Sequence, residues 1–168
     1  PISVIRTPDM VSAASQLDEN LGLYTTYAEL QTALTSLETA YPDLAEVGSI
    51  GTSHEGRTIY FLKISDNVAL SEGEPEVLYV GNHHAREIMT VDITLKFAEY
   101  LLGNYGVLSE VTDMVDNREI YFVPMLNPDG HYYVQQNHSN PDPNSWWRKN
   151  RRDNLDGSFG VDLNRNYG

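Results

Sequence analysis

Three segments of this 168-residue chain concentrate side chains able to do chemistry. The first is Gly81-Asn82-His83-His84-Ala85-Arg86-Glu87. His84 and Glu87, three residues apart on a strand-to-helix turn, can reach one metal ion. Imidazole nitrogen with carboxylate oxygen suits Zn²⁺, at bond lengths of about 2.0–2.2 Å. The same spacing also describes a polar loop whose Glu87 favours a helix N-terminus. The second segment is Trp147-Arg148-Lys149-Asn150-Arg151, and the third is Val161-Asp162-Leu163-Asn164-Arg165-Asn166. Five of the 11 Lys and Arg residues fall within 148–165, in a chain of net charge −13. Such a patch is either a solvated face or an attractor for an anion, such as a peptide carboxylate or a developing oxyanion. Glu72, Glu74 and Glu76 form an acidic loop, either solvated or able to hold Ca²⁺, which takes clustered oxygen ligands; Glu119, from a neighbouring strand, is the candidate fourth partner.

Other chemistry-bearing residues read as structural. His54, His83, His131 and His138 are placed in turns and loops as surface or structural histidines, and Trp146 and Trp147 as packing residues, since large aromatics mostly supply burial. The chain has no Cys, which excludes disulfide scaffolds, thiolate metal sites and cysteine nucleophiles. Its 24 acidic residues against 11 basic ones argue against non-specific binding to nucleic acid or anionic membrane. No run approaches the ~18 apolar residues of a membrane span, and the first residues do not have the make-up of a signal peptide.

The elements that must position these residues follow from periodicity. Residues 1–22 show none and read as a tail or the remnant of a pro-segment. Thr26 and Glu29 have capping-box spacing. Tyr27, Leu30, Leu34, Leu37 and Tyr41 then repeat as a helix face, which Tyr41-Pro42 ends. Strands are expected near 45–51 and 57–64, turning at Glu55-Gly56. Val77-Leu78-Tyr79-Val80 and Ile120-Tyr121-Phe122-Val123 read as strands buried on both faces. A helix is expected near 87–103, stopping around Gly103. Asn127-Pro128-Asp129-Gly130 reads as a turn, and Val161 to Asn164 as a short strand. Strands alternating with helices give an α/β fold, and the 45–64 hairpin makes its central sheet, flanked by helices, mixed.

Taken together, these segments resemble the zinc metallocarboxypeptidases of the carboxypeptidase A/B superfamily, with the secreted bacterial T-type enzymes most similar. The resemblance runs from about Tyr24 to Gly168. It includes Gly51-Thr52-Ser53-His54-Glu55-Gly56-Arg57, Ile64-Ser65-Asp66-Asn67, Glu74-Pro75-Glu76-Val77-Leu78-Tyr79 and Asn127-Pro128-Asp129-Gly130. It implies that residues 23–168 are the N-terminal half of a catalytic domain that removes C-terminal residues from peptides with the help of Zn²⁺. It implies that His84 and Glu87 ligate the zinc and that Asp162 orients His84. Arg86 would line the substrate groove, and Arg151 would polarise the scissile carbonyl. Asn164 and Arg165 would grip the terminal carboxylate. The T-type enzymes are calcium-stabilised, which extends to the acidic loop.

The same resemblance places the third zinc ligand, the general-base glutamate and a substrate-capping tyrosine beyond Gly168. The isolated chain is therefore expected to be inactive. Its open sheet edge is expected to be covered by the remaining half or by a second copy. Two other functions share parts of the pattern: a zinc amidohydrolase acting on acylated amino acids, and a non-catalytic module that binds peptides or carboxylates.

Overall fold

A computed structural model describes residues 24–137 and 146–167. The expected tail over 1–22 and His138 lie outside the described residues. Helix α1 (Tyr27–Ala40) opens as its sequence asks. Thr26 accepts a hydrogen bond from the Glu29 amide, and Glu29 accepts one from the Thr26 amide at 2.8 Å. Its buried face is Leu30 and Leu34, and the chain leaves the helix at Tyr41, before Pro42.

Strands β1 (Ala45–Thr52) and β2 (Thr58–Ile64) form an antiparallel hairpin, in register from Ala45 opposite Ile64 to Thr52 opposite Thr58. The register shifts between Ser49 and Gly51, and Gly51 has φ +139°, a conformation open to glycine and costly for other residues. Two further strands, β3 (Glu76–Val80) and β4 (Glu119–Val123), pair in parallel, and β4 pairs antiparallel with β2. The sheet is mixed, in the order β1-β2-β4-β3. Between β3 and β4 run α2 (Met89–Asn104) and α3 (Ser109–Asp116), the latter unforeseen in the sequence although Val111 and Val115 are buried at helical spacing. The core joins Leu30, Leu62, Ile64, Leu95, Leu101 and Phe122.

Three local expectations are corrected. The two apolar strands were expected to be buried alike. In β4, Ile120 and Phe122 are 1% and 0% exposed, but in β3 Leu78 is 62% exposed. β3 lies at the sheet's edge, with a strand on one side only. Tyr79 packs between Phe122 and Phe97 of α2 at ring separations of 5.3 and 5.0 Å, while Leu78 turns to the opposite, uncovered face. Residues 127–130 start a helix rather than make a turn: α4 (Pro128–Asn137) takes Asn127 as its cap. The Asn127 side-chain oxygen accepts from the Gly130 amide at 3.1 Å, and Pro128 occupies the first helical position, where its missing N–H costs nothing. Residues 161–164 are not a strand. Asp162 caps a 3₁₀ turn (Leu163–Arg165) by accepting from the Asn164 amide. α2 ends at Asn104, next to the expected stop around Gly103.

Candidate metal and carboxylate site

The site is built where the chain leaves β3. The Gly81 amide donates to Val123 O at 2.9 Å, and a Cβ at Gly81 would stand 2.6 Å from Pro124 O, so the crossing requires glycine. Asn82 follows with φ +53°, in the left-handed region that asparagine tolerates best after glycine. Its amide donates to Thr90 Oγ1, and its side-chain nitrogen donates to the carbonyls of His84 and Ala85. This buried asparagine folds the loop back on itself and fixes the direction of His84.

His84 and Glu87 come together: His84 Nδ1 lies 2.8 Å from Glu87 Oε1. The imidazole is buried and the carboxylate is open to solvent. On the other side of the ring, His84 Nε2 lies 3.3 Å from Asp162 Oδ1, without a hydrogen bond in line. Asp162 in turn accepts from Arg148 Nε at 2.9 Å through its second oxygen. That hydrogen bond, ahead of the charge of the guanidinium, holds the Asp162 carboxyl below the usual range. Among the described residues, the terminal nitrogens of Arg148 have no partner.

The basic segment is tied to this loop by its backbone. Ala85 N donates to Arg148 O at 3.0 Å, and the buried Asn127 side chain donates to both His83 O and Lys149 O. Segments 83–86 and 146–149 therefore run side by side in opposite directions. Further along, Arg86 stacks on Trp146, its guanidinium carbon 5.4 Å from the ring centroid.

Arg151 carries, in the resemblance, the role of polarising the scissile carbonyl. Its guanidinium is packed against the rings of Tyr133, Phe159 and Trp147 at 4.0, 4.6 and 5.0 Å, and its Nε lies 3.6 Å from Glu55. The arginine beside Asp162 is Arg148, which the sequence reading left without a role. The available signal was the segment itself, with Arg148 and Arg151 three residues apart and no local rule to choose between them. Glu55 belongs to a second knot centred on buried Asp129, which accepts from Ser53 Oγ, the Glu55 amide and Arg57 Nη1 at 2.6–2.9 Å. This knot and the aromatic cage of Arg151 hold the hairpin, α4 and the 147–160 segment together.

Asn164 and Arg165 are exposed on the turn capped by Asp162, so the structure places them next to that carboxylate in the chain. Arg165 Nη1 donates to Asn164 O at 2.8 Å. His83 points away from His84 and meets Tyr167 OH. His54 is exposed near the hairpin turn, beside a cavity of about 370 Å³ lined also by Asn127, Asn150, Leu163 and Tyr167. His131 is a structural histidine, as one of the two readings had it, but in a helix rather than a turn. It is fully buried in α4, donates from Nε2 to Thr25 O at 3.1 Å, and burial drives its pKa down to about 4. Trp147 packs edge-on against Tyr133 as a packing residue does, but Trp146 is 68% exposed.

The residues present fit zinc as far as they go. They supply one imidazole nitrogen and one carboxylate oxygen close enough to share an ion, and a carboxylate behind the histidine. Among the described residues, no third His, Asp or Glu joins His84 and Glu87 within 4.8 Å.

The acidic loop is redrawn. The carboxylates that converge are Asp66, Glu72 and Glu74, not Glu72, Glu74 and Glu76. Glu119 is not available as a fourth partner. It is buried, accepts from the Glu72 amide and Tyr121 OH at 2.8 Å, and pairs with Lys63 at 3.3 Å. Glu76 lies on the edge strand, outside the cluster. The expectation of Ca²⁺ gains no support from this arrangement.

Comparison with known proteins finds relatives in sequence and in structure. Residues 30–168 match the family model described as zinc carboxypeptidase. A zinc carboxypeptidase of Saccharothrix mutabilis subsp. capreolus is 40% identical over 148 residues, 86% of this chain and 33% of that protein. Carboxypeptidase D of Homo sapiens is 36% identical over 142 residues, 84% of this chain and 10% of that protein. In structure, thrombin activatable fibrinolysis inhibitor matches with a TM-score of 0.77 and 26% identity, over 95% of this chain and 38% of its own. Carboxypeptidase A of Helicoverpa armigera matches with a TM-score of 0.72 and 30% identity, over 94% of this chain and 38% of its own. The chain thus spans about a third, or less, of the length of these curated relatives.

Proposed function

This chain belongs to the zinc carboxypeptidase family, and we propose that it supplies the metal- and carboxylate-binding part of an enzyme that hydrolyses the C-terminal peptide bond of peptides. The observation that carries this reading is the line of contacts from Glu87 through His84 and Asp162 to Arg148. His84 Nδ1 and Glu87 Oε1 would hold Zn²⁺, which supplies Lewis acidity when bound. The negative charge of Asp162, 3.3 Å from Nε2, favours the tautomer protonated there and leaves the Nδ1 lone pair on the side of Glu87. Arg148, anchored through Nε, presents its free nitrogens where negative charge develops on the scissile carbonyl oxygen. A donor in that position is typically worth ~3–4 kcal/mol. Arg151, to which the resemblance gives that role, is packed against three rings with its Nε 3.6 Å from Glu55. Arg165, with Asn164, offers a planar fork to the free carboxylate and so distinguishes a chain end from a mid-chain residue.

The catalytic-domain part begins near residue 23 in this reading, and a third protein ligand and a general base come from the rest of the enzyme. The open edge of β3 and exposed Leu78 are where that remainder, or a second copy, would pack. Among the described residues, no helix is long and apolar enough to cross a membrane. An extracellular setting, as in the secreted enzymes this chain resembles, completes the proposal. The test uses the complete protein with zinc and a peptide offered with a free or an amidated C-terminus. Stepwise release of C-terminal residues from the free form alone is expected; equal cleavage of both would overturn the reading.

A further inference from the structure

Trp146 is the one tryptophan of the two that does not pack: it is 68% exposed, while its neighbour Trp147 is wedged against Tyr133 and Arg151. An exposed indole beside the site offers a broad apolar face on which a ligand's side chain can pack. Its place is defined by the antiparallel zipper between the two site segments. Asn127 bridges His83 to Lys149, Ala85 bonds to Arg148, and the next rung is Arg86 over Trp146. The zipper therefore leads directly from His84 to the indole. Arg86 has no hydrogen bond or ion pair among the described residues, so the face of Trp146 is its one organised neighbour. A cation held over a ring at an exposed site gains about 0.5–1 kcal/mol. That is enough to bias the orientation of both side chains and not enough to lock them.

We infer that Trp146 determines specificity: it is an aromatic platform for the side chain that precedes the C-terminal residue of the substrate, held in orientation by Arg86. The inference rests on the exopeptidase reading. With the terminal carboxylate at Asn164 and Arg165 and the scissile carbonyl near Arg148, the peptide upstream of the scissile bond must leave past the ligand loop. The Arg86–Trp146 rung lies on that loop, one residue beyond Ala85. An indole face left open to solvent favours apolar and, above all, aromatic side chains, which stack on it in offset or edge-on geometry. Glycine at the same substrate position offers it nothing.

The experiment uses the complete zinc-loaded enzyme and two peptides with the same free C-terminal residue, one preceded by Phe and one by Gly. Wild type should favour the Phe peptide in kcat/KM. In Trp146→Ala the Phe/Gly ratio should fall about tenfold, through a higher KM for the Phe peptide, and Trp146→Phe should restore most of it. The fold is not at stake, because the side chain is mostly in solvent. An unchanged ratio in Trp146→Ala, whether both peptides slow equally or neither slows, would overturn the inference. The wild-type comparison of free and amidated ends bears on the exopeptidase reading alone, so the two can fail separately.

Discussion

At the carboxyl end of the β3–β4 pair, Glu87, His84, Asp162 and Arg148 form a line of contacts that ends in free donors. At the amino end of the same pair, Glu119 closes on Lys63, Tyr121 and the Glu72 amide, and Lys63 donates in addition to Leu70 O. Both ends hold carboxylates and cations at hydrogen-bond distance. At the amino end Lys63 and Glu119 are buried and paired with each other, and hydrogen bonds from the Glu72 amide and then Tyr121 hold Glu119 below the usual carboxylate range. At the carboxyl end the carboxylate of Glu87 is open and the guanidinium of Arg148 is only partly used. A closed ion pair is architecture; a line of contacts with unused ends is poised to bind something. Proximity of charges alone does not separate the two.

The largest effect expected from breaking this contrast is at His84. In the complete enzyme, His84→Ala should reduce activity to background and lose the bound zinc, read by metal analysis, because a catalytic zinc site uses three protein ligands. Next come Arg148→Ala and Lys63→Ala, which should fail in opposite ways. Arg148→Ala should lower kcat by about 10²–10³-fold with an unchanged melting temperature. Lys63→Ala strands a buried carboxylate and should lower the melting temperature by roughly 10 °C while zinc is retained. Arg151→Ala belongs with Lys63: if it lowered kcat as far as Arg148→Ala without loss of stability, the assignment of Arg148 would be wrong. A smaller effect is expected from Asp162→Asn, which should weaken zinc binding by about 10–100-fold, measured by competition with a chelator.

The smallest and most graded difference is in pH dependence. Glu119 has a folded pKa below its unfolded value. Its contribution is therefore present above about 4.5 and lost as pH falls through the folded value. His131, buried in α4, works in another window. Its folded pKa of about 4 lies below the unfolded 6.5, so the unfolded chain binds a proton first and stability falls as pH drops from 6.5 to 4. The loss is about 3 kcal/mol over that window. Urea midpoints measured across pH should show both slopes. Glu119→Gln should remove the lower one, and His131→Gln, which keeps a donor for Thr25 O, the upper one.

Much of this molecule is legible in its residues because the relevant physics is local. The capping box of α1, the hairpin, the run of β4 and the turn after β3 each depend on neighbours within a few positions, and the expected elements appear there. Asn127-Pro128-Asp129-Gly130 misled because the same residues suit a turn and a helix start. Only the helical continuation into Val134 and Gln135, buried against the rest, decides between them. The pairing of His84 with Glu87 is legible for the same reason, being a matter of three-residue spacing on a turn.

What the sequence by itself determined is the kind of chemistry available: which residues can ligate, donate or carry charge, in which order, and which local elements present them. The tertiary structure alone decided which of those charges are spent. Arg148 and Arg151 are three residues apart in one basic run, and only the packing of α4 and the hairpin cages one and leaves the other beside Asp162. Glu119 and Glu74 are both acidic, but Lys63 from β2 closes on the first and not the second. β3 and β4 have similar runs of apolar residues, and their burial differs because one has neighbours on both sides and the other on one. Chain order specifies residue types and short spacings, whereas burial and charge pairing depend on residues from distant parts of the chain, which only the folded packing brings together.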